Sequence, residues 1–248
     1  MSKNYIEKNN DKLKSKNINN DDIYLVYQFF IHSNKERYKE IRHCLKCNIK
    51  LNLFKKIILL NERIYTKEEL GLTEKEMEKI EQININKRLK YIDVFLQIKR
   101  IGLNGYVVFC NSDIFFDETI ENIRRSCLSI TKSVYTLLRF EYDPHKRLSK
   151  CKLFNHPKTN KPRPDSQDAW IYHTNQLETT GDLIRGANFK LGMPGCDNKI
   201  TYILTQLGYK CINVPYNVKT YHYHSTQIRN YNITDVIPPP YLYIEPVY

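Results

Sequence analysis

The residue of this sequence best placed for chemistry is Asp113, which closely follows an apolar segment. That segment, residues 106–110, reads YVVFC and predicts a buried strand, with Asn111 and Ser112 between it and the acid. Ligands of open α/β sheets bind at the carboxyl ends of the strands. Divalent cations, which a nucleotide diphosphate requires, prefer carboxylate oxygens. Asp113 is therefore a candidate cation ligand, although Asp also ends strands as an ordinary turn residue.

A second candidate lies in the sequence GMPGCDN at residues 192–198. Gly195 permits a sharp turn of the backbone, and the residues that follow it have the pattern of a helix. We therefore expect Asp197 at or near the helix N-cap. Asp is a preferred cap residue, so capping alone would account for it there, and a role in chemistry has to come from its surroundings.

Two histidines, His222 and His224, alternate in the segment YHYH. Alternate residues of an extended segment share a face, so both imidazoles can reach one site, where a neutral ring nitrogen is a common metal ligand. Histidines at this spacing also occur by chance on surfaces and in cores. Asp168 is a further isolated acid, just before an apolar stretch that contains Trp170, the single tryptophan.

The elements that must position these residues alternate between strands and helices. Residues 23–30 are a continuous apolar and aromatic run typical of a strand buried on both faces. A charged, helix-like stretch follows at 34–51, and a second strand, KIILL, is predicted at 56–60. This order predicts a parallel α/β sheet. Further helices are predicted at residues 73–80, 88–101, 118–127 and 198–207. Further strands are predicted at residues 82–85, 134–140 and 210–214. Residues 142–166 contain four prolines and predict a long loop.

Composition limits the possible classes of protein. The 248 residues suffice for one α/β domain, which we expect at residues 22–232. Residues 1–21 are rich in Lys and Asn and predict a disordered leader, and residues 233–248, with three consecutive prolines, predict an extended tail. Seven scattered cysteines indicate a reducing compartment, no apolar run approaches the roughly 20 residues of a membrane helix, and no signal peptide begins the sequence. We therefore expect a cytoplasmic protein.

The order of these motifs resembles the GT-A glycosyltransferases over roughly residues 23–231. The shared plan is a strand that ends in a D-x-D-like motif (here NSD), then a Gly-containing acidic helix start (GCDN), a Gly-ended helix, a short strand and a late histidine. Galactosyl- and N-acetylgalactosaminyl-transferases are similar in plan, as are compact glycosyltransferase domains with NSDI and GCDN motifs. The resemblance implies a single Rossmann-like domain, with a mostly parallel sheet and helices on both faces.

The resemblance also implies roles for individual residues. Asp113 would hold Mn²⁺ or Mg²⁺ against the diphosphate, and His222 or His224 would complete the metal shell. Asn111 would assist, but it replaces the first acid of the D-x-D motif, which puts the strength of metal binding in doubt. Asp197 would be the general base. Asp168 would contact the donor or acceptor sugar and is the alternative base, beside Trp170, which either stacks on a sugar or belongs to the core.

The donor side of the site is implied in the same way. Gln28 and Glu62, at the ends of the first and second strands, lie where the family binds the nucleoside. Arg88 and Tyr91 open the helix before the metal-binding strand and would contact the diphosphate or the base. An ordinary helical surface is the plainer interpretation of this pair.

The function implied is transfer of a sugar, with inversion, from a nucleotide-diphosphate sugar to a glycan, a glycoprotein or another hydroxyl acceptor. A metal-dependent nucleotidyltransferase or phosphohydrolase is an alternative, because it also needs carboxylates near a diphosphate. The formal charge of +12, from 39 Lys and Arg against 27 Asp and Glu, permits a nucleic-acid-binding protein. The basic residues are spread along the chain and no helix-turn-helix, RRM or zinc module is evident, so no nucleic-acid partner is expected.

Overall fold

The computed structural model of the chain describes residues 20–229, 231–232 and 234–247. Residues 1–19 of the predicted leader lie outside this range. The last leader residue, Asp21, lies within it, and its carboxylate is 2.8 Å from Nε2 of the buried His173. None of the helices in the described part of the chain combines the length and the apolar character that a bilayer crossing requires.

Eleven strands in the described residues form two sheets. In chain order they are β1 (Ile23–Tyr27), β2 (Lys56–Asn61), β3 (Ile80–Asn84), β4 (Tyr106–Cys110), β5 (Ile114–Phe116), β6 (Ser133–Leu138), β7 (Phe140–Glu141), β8 (Lys152–Leu153), β9 (Gln167–His173), β10 (Lys210–Ile212) and β11 (Thr220–His222). The central sheet has the order β10-β6-β9-β4-β1-β2-β3, and only β9 runs antiparallel to its neighbours. The predicted mostly parallel sheet is confirmed.

Six α-helices and two 3₁₀ helices accompany these strands in the described residues. The α-helices are α1 (Lys35–Lys50), α2 (Lys67–Leu70), α3 (Glu74–Met77), α4 (Tyr91–Ile101), α5 (Gly181–Gly186) and α6 (Cys196–Gln206). The 3₁₀ helices are Glu118–Arg125 and Leu148–Lys150. Side chains of β1 alternate between two cores, one packed on α1 and the other on α4 and α6. Because both faces of the sheet are covered, its central strands β1, β2 and β4 are almost entirely apolar.

The smaller sheet, in the order β5-β11-β7-β8, lies beyond the carboxyl end of β4. Its β11 is antiparallel to β5, with His222 opposite Ile114, and parallel to β7, with His222 opposite Glu141. The backbone N–H of Tyr223 donates to the carbonyl of Asp113 at 2.9 Å. This pairing brings the end of β11 to the acid that follows β4, although the two are more than one hundred residues apart in the chain.

Several predicted elements differ in detail from the structure. The predicted strand at residues 134–140 is two short strands, because the chain breaks at Arg139, whose side chain turns into the site described below. Residues 118–127, predicted as an α-helix, contain a 3₁₀ helix. The helix predicted from residue 198 begins at Cys196, with Gly195 as its N-cap at a φ of 79°. Asp197 is therefore the second residue of α6 rather than its cap.

The proline-containing tail runs in extended form along the start of α6 and the end of β10. Backbone N–H groups of Ile237, Leu242 and Val247 donate to the carbonyls of residues 194, 198 and 213. Gly195 is required at this crossing, because a Cβ there would lie 2.7 Å from the hydroxyl of Tyr241.

Candidate active site

A cavity of about 300 Å³ opens at the carboxyl ends of the central strands. Eight of the ten residues predicted to form the site line it: Gln28, Glu62, Arg88, Asn111, Asp113, Asp168, His222 and His224. The other two, Tyr91 and Asp197, are not among its lining residues. The volume is at the lower end of the range of small-molecule sites, and most of the polar groups come from residues that follow strands, as expected of an open α/β sheet.

Asp113, His222 and His224 form a buried cluster on the wall of this cavity. Oδ2 of Asp113 lies 3.2 Å from Nε2 of His222 and 3.8 Å from Nδ1 of His224. One potential ligand atom from each of the three residues lies within 4.8 Å of the others. A carboxylate and two imidazoles suit a divalent transition metal such as Mn²⁺ or Zn²⁺.

The hydrogen bonding of His224 tests whether a cation fits this cluster. Its Nε2 lies 2.9 Å from the carbonyl of Ile228, so Nε2 carries the proton and donates it, and Nδ1 keeps a lone pair. Burial, followed by the charge of Arg37, lowers the pKa of His224 to about 4, which keeps the ring neutral. Nδ1 is buried without a hydrogen-bond partner among the described residues. A lone pair directed at a carboxylate favours a cation between them, so the residues fit a metal.

His222 is held between two carboxylates. Its Nε2 faces Asp113, and its Nδ1 lies 3.3 Å from Oε2 of Glu141. Burial opposes the charged ring, but the two carboxylates outweigh burial and raise the pKa of His222 to about 9. If Nε2 takes a metal, Glu141 can accept the Nδ1 proton and orient the ring, as carboxylates behind metal-bound histidines commonly do.

Asn111 and Asp168 meet through the antiparallel pairing of β4 and β9. Asn111 Nδ2 donates to Oδ1 of Asp168 at 2.6 Å, and its backbone N–H donates to the Asp168 carbonyl at 3.1 Å. Arg139 Nη1 donates to the other oxygen, Oδ2, at 2.6 Å, and Arg139 Nε donates to Glu141 at 2.7 Å. Position 111 has no carboxylate of its own, but the carboxylate of Asp168 on β9 lies directly beside it.

Asp197 lies at the start of α6, behind Gln167. Its carboxylate accepts the backbone N–H of Gln167 at 3.1 Å and the side-chain amide of Asn198 at 3.2 Å. Burial, together with the negative charge of Asp168, raises the pKa of Asp197 to about 7. A carboxyl group with this pKa changes its charge near neutrality, as a general base requires.

Tyr91 and Trp170 belong to the core. Both side chains are fully buried, and their rings meet edge to face with centroids 5.1 Å apart. The hydroxyl of Tyr91 lies 3.4 Å from Sγ of Cys196. The core alternative for Trp170 is the one that the structure supports, and Tyr91 is placed where it anchors α4 rather than where it meets the cavity.

The predicted nucleoside side is a connected polar wall. Gln28 Nε2 donates to Oε2 of Glu62 at 3.1 Å, and Gln28 Oε1 accepts the backbone N–H of Leu89 at 3.0 Å. Arg88 donates to the carbonyls of Leu191 and Gly192 at 3.2 and 3.3 Å. These contacts tie the ends of β1 and β2 to the segment before α6, on either side of the cavity.

Sequence reasoning missed three arginines that line the cavity, Arg37, Arg139 and Arg229, of which the first two are buried in its wall. Arg37 comes from α1 and pairs with Asp113, and Arg139 comes from the break between β6 and β7. No local signal distinguishes them from the other basic residues of a chain with 39 Lys and Arg. A largely apolar strand interrupted by one arginine, as at residues 134–140, is the hint that the sequence offers for Arg139.

Comparison with known proteins gives similarity at the level of the fold. No protein-family model matches the chain, and no curated protein sequence matches it. The crystal structure of GalNAc-T7 with UDP, GalNAc and Mn²⁺ superposes with a TM-score of 0.51 at 11% identity, over 85% of this chain and 45% of that one. The mannosyltransferase PcManGT from Pyrobaculum calidifontis, in complex with GDP-Man and Mn²⁺, gives a TM-score of 0.51 at 10% identity, over 92% and 65%. The chain thus spans less than two thirds of either protein. Together with the sheet order, these similarities show that the chain has the GT-A fold, as the sequence predicted.

Proposed function

We propose that this protein is a metal-dependent glycosyltransferase that moves a sugar from a nucleotide-diphosphate sugar to a hydroxyl acceptor, with inversion at the anomeric carbon. The observation that carries the proposal is the buried Asp113–His222–His224 cluster in the wall of a strand-end cavity. Two solved structures of similar fold are a GalNAc-T7 complex with UDP and Mn²⁺ and a mannosyltransferase complex with GDP-Man and Mn²⁺. They support an enzyme that uses nucleotide sugars.

The residues of the cavity divide into two groups under this proposal. Asp113, with His222 or His224, holds Mn²⁺ or Mg²⁺, and Asn111 keeps the neighbouring Asp168 in place. Gln28 and Glu62 bind the nucleoside, and Arg88 lies between them and the segment before α6. When bound, the metal supplies Lewis-acid stabilisation of the leaving diphosphate.

The transfer step is a single displacement. The acceptor oxygen attacks the anomeric carbon, the bond from that carbon to the diphosphate oxygen breaks, and the electron pair leaves with the diphosphate. The proton of the acceptor hydroxyl goes to a carboxylate of the protein. Asp197 is the proposed base because the resemblance implies this role and a pKa of about 7 suits proton abstraction near neutrality, although Asp197 does not itself line the cavity. Asp168 is the alternative base, since it lines the cavity, where its Oδ2 accepts a hydrogen bond from Arg139.

A metal-dependent nucleotidyltransferase would use the same cation and the same carboxylates. The two reactions differ in the bond that breaks. Sugar transfer releases a nucleoside diphosphate, whereas nucleotidyl transfer breaks the bond at the α-phosphate and releases pyrophosphate.

The test is a thermal-shift screen of nucleotide sugars with Mn²⁺, followed by product analysis. A ligand present at 100 times its Kd stabilises a folded protein by about 2.7 kcal/mol, so a true donor should raise Tm only when Mn²⁺ is present. Asp113→Ala should abolish that shift. Asp182→Ala, which removes an exposed acid paired with Arg185, should leave it unchanged. Release of pyrophosphate would instead support a nucleotidyltransferase, and stabilisation by nucleic acid alone would support a nucleic-acid-binding protein.

A further inference from the structure

Arg37 is a buried cation in the wall of the cavity that no predicted role accounts for. Its side chain projects from the first turn of α1 and is only 7% exposed. Burial of a guanidinium is costly unless anions surround it, and the group stays protonated under all ordinary conditions. Its partners are therefore informative. They are the carboxylates of Glu40 and Asp113 and the backbone carbonyl of Tyr223.

Both carboxylate oxygens of Glu40 are already occupied by hydrogen bonds from protein groups. One of its oxygens accepts from the Ser225 hydroxyl at 2.7 Å and from the Thr226 N–H at 2.9 Å. The other accepts from Arg37 Nη1 at 2.7 Å and from the Thr226 hydroxyl at 3.1 Å. Glu40 thereby fixes one end of the guanidinium against the segment after β11, and this half of Arg37 needs no further partner.

The other end of the guanidinium depends on Asp113. Arg37 Nη2 donates to Oδ2 of Asp113, the same oxygen that faces Nε2 of His222 and Nδ1 of His224. Because Oδ2 is the Asp113 oxygen that faces both histidines, a metal between the three residues would bind next to it, and the positive charge of Arg37 on the same oxygen opposes that metal. Once the oxygen is taken, Nη2 is a charged donor in the cavity wall, next to the position of a metal-bound ligand.

A diphosphate is the anion that meets this requirement. The metal site recruits it under the proposed function, on which this inference rests, and a guanidinium fork matches phosphate oxygens in geometry and charge. We propose that Arg37 is a ligand of the donor diphosphate: it holds Asp113 while the site is empty, and passes from Asp113 to the phosphate oxygens when metal and donor bind.

This transfer has a measurable consequence for the order of binding. Without nucleotide, Arg37 opposes the metal by occupying and neutralising Asp113. When nucleotide is bound, Arg37 pairs with the diphosphate instead of Asp113 and no longer opposes binding of the metal. Metal and nucleoside diphosphate should therefore strengthen each other's binding, and this coupling has to be reciprocal. Direct contact between metal and diphosphate also produces coupling, so the part that depends on Arg37 must be isolated by substitution.

The experiment is calorimetric titration of the full chain with Mn²⁺, with and without UDP or GDP. Relative to wild type, Arg37→Gln should bind Mn²⁺ more tightly in the absence of nucleotide and bind the nucleoside diphosphate more weakly in its presence. We expect each change to be about 10-fold, within the range of about 5- to 150-fold of typical couplings. Arg37→Lys keeps the charge but loses the fork, so it should retain weak Mn²⁺ binding without nucleotide and still lose nucleotide affinity.

The opposite sign for the metal would overturn the inference. If Arg37→Gln weakens Mn²⁺ binding without nucleotide, Arg37 merely positions Asp113. If Arg37→Gln does not fold, Arg37→Lys decides, because nucleotide affinity that is unchanged by loss of the guanidinium fork contradicts the proposed fork contact with phosphate. If the wild type binds both Mn²⁺ and the nucleoside diphosphate, and the Arg37 substitutions change neither affinity, the role of Arg37 is rejected but the proposed function stands. If the wild type binds neither Mn²⁺ nor the nucleoside diphosphate, the proposed function is rejected as well.

Discussion

Asn111 and Asp168 are joined side chain to side chain at 2.6 Å across β4 and β9. The amide at position 111, where the GT-A pattern has an acid, is therefore matched to a carboxylate already in place beside it. A second carboxylate at position 111 would face Asp168 at hydrogen-bonding distance with no proton between them. The amide at position 111 therefore suits the neighbouring carboxylate better than a second acid would.

This relationship predicts the effect of restoring the acid. Asn111→Asp should lower stability rather than improve metal binding, because two carboxylates this close cannot both be charged without cost. One of the pair acquires a raised pKa, so the stability of the variant is retained at pH 4 and is lost as pH rises through that raised value. Chemical denaturation of the variant and the wild type at pH 4, 6 and 8 measures this pH dependence of the stability.

The exchange of the two residues is the matched control. Asn111→Asp combined with Asp168→Asn restores one acid and one amide, and should recover most of the lost stability at pH 8. A recovery of about 1–3 kcal/mol would be a typical coupling for residues in contact. Equal stability of Asn111→Asp and wild type at pH 8 would contradict the contact.

The metal cluster gives a prediction that separates its two histidines. His224→Ala should weaken Mn²⁺-dependent donor binding strongly, and His222→Ala should weaken it less. The reason is that His224 presents an unshared Nδ1 lone pair to Asp113, whereas both nitrogens of His222 are held by carboxylates. Calorimetry with Mn²⁺ and then with the donor measures both variants. Unchanged affinity in both would make the histidines structural.

Dependence on the metal itself is tested by removing it. EDTA should abolish sugar transfer, and added Mn²⁺ or Mg²⁺ should restore it, because Asp113 lies in a cluster of potential ligands. Asp113→Ala should lose turnover even with excess metal. Full activity of the wild type in EDTA would exclude Asp113 as the ligand of a required metal and leave only its ion pair with Arg37.

How much of this site the sequence could predict depends on how local each signal is. Asp113 was found because YVVFC is apolar and ends abruptly in polar residues, and the histidines because extended chain alternates. Arg37 could not be found in this way, since an Arg and a Glu three residues apart on a charged helix have the pattern of an exposed pair. Its burial results from the segment after β11, which is almost 190 residues away.

Arg139 and Asp197 illustrate a second limit. Residues 134–140 predict one strand, and only the pairing of β7 with β11 in the second sheet shows why it breaks at Arg139. α6 begins two residues before the predicted start, directly after Gly195, on which the tail packs. Such boundaries depend on distant segments, whereas the central strands were predicted from their own composition.

The N-terminal segment predicts a contrast between two truncations. Removal of residues 1–19 should leave folding intact, because this segment has few apolar residues. Removal of residues 1–21 also deletes Asp21, whose carboxylate contacts the buried His173 and whose carbonyl accepts from Arg124. Removing the carboxylate partner of the buried His173 should cost about 1–3 kcal/mol, measured by denaturant unfolding. Equal stability of the two truncated proteins would show that these contacts contribute little.

The proposed base is tested by Asp197→Asn. The substitution keeps the shape of the side chain and an oxygen that can accept the Gln167 N–H, so the variant should fold and bind the donor. Transfer should fall roughly 10²–10⁴-fold, the usual contribution of general-base catalysis. In the wild type, kcat/KM should decline as pH falls below about 7, where Asp197 becomes protonated, and product NMR should show an inverted anomeric configuration.

The stability of the same variant provides an independent measure of that pKa. A carboxyl group whose pKa is raised on folding favours the folded state while it is protonated, and this contribution is lost as pH rises through the folded pKa. With a folded pKa of about 7, wild type should lose stability relative to Asp197→Asn between about pH 4 and pH 7, and the difference should then level off. Asp168→Asn is the comparison for activity. If it abolishes transfer while Asp197→Asn retains near-normal turnover, Asp168 is the base and the stability curve reports only the burial of Asp197.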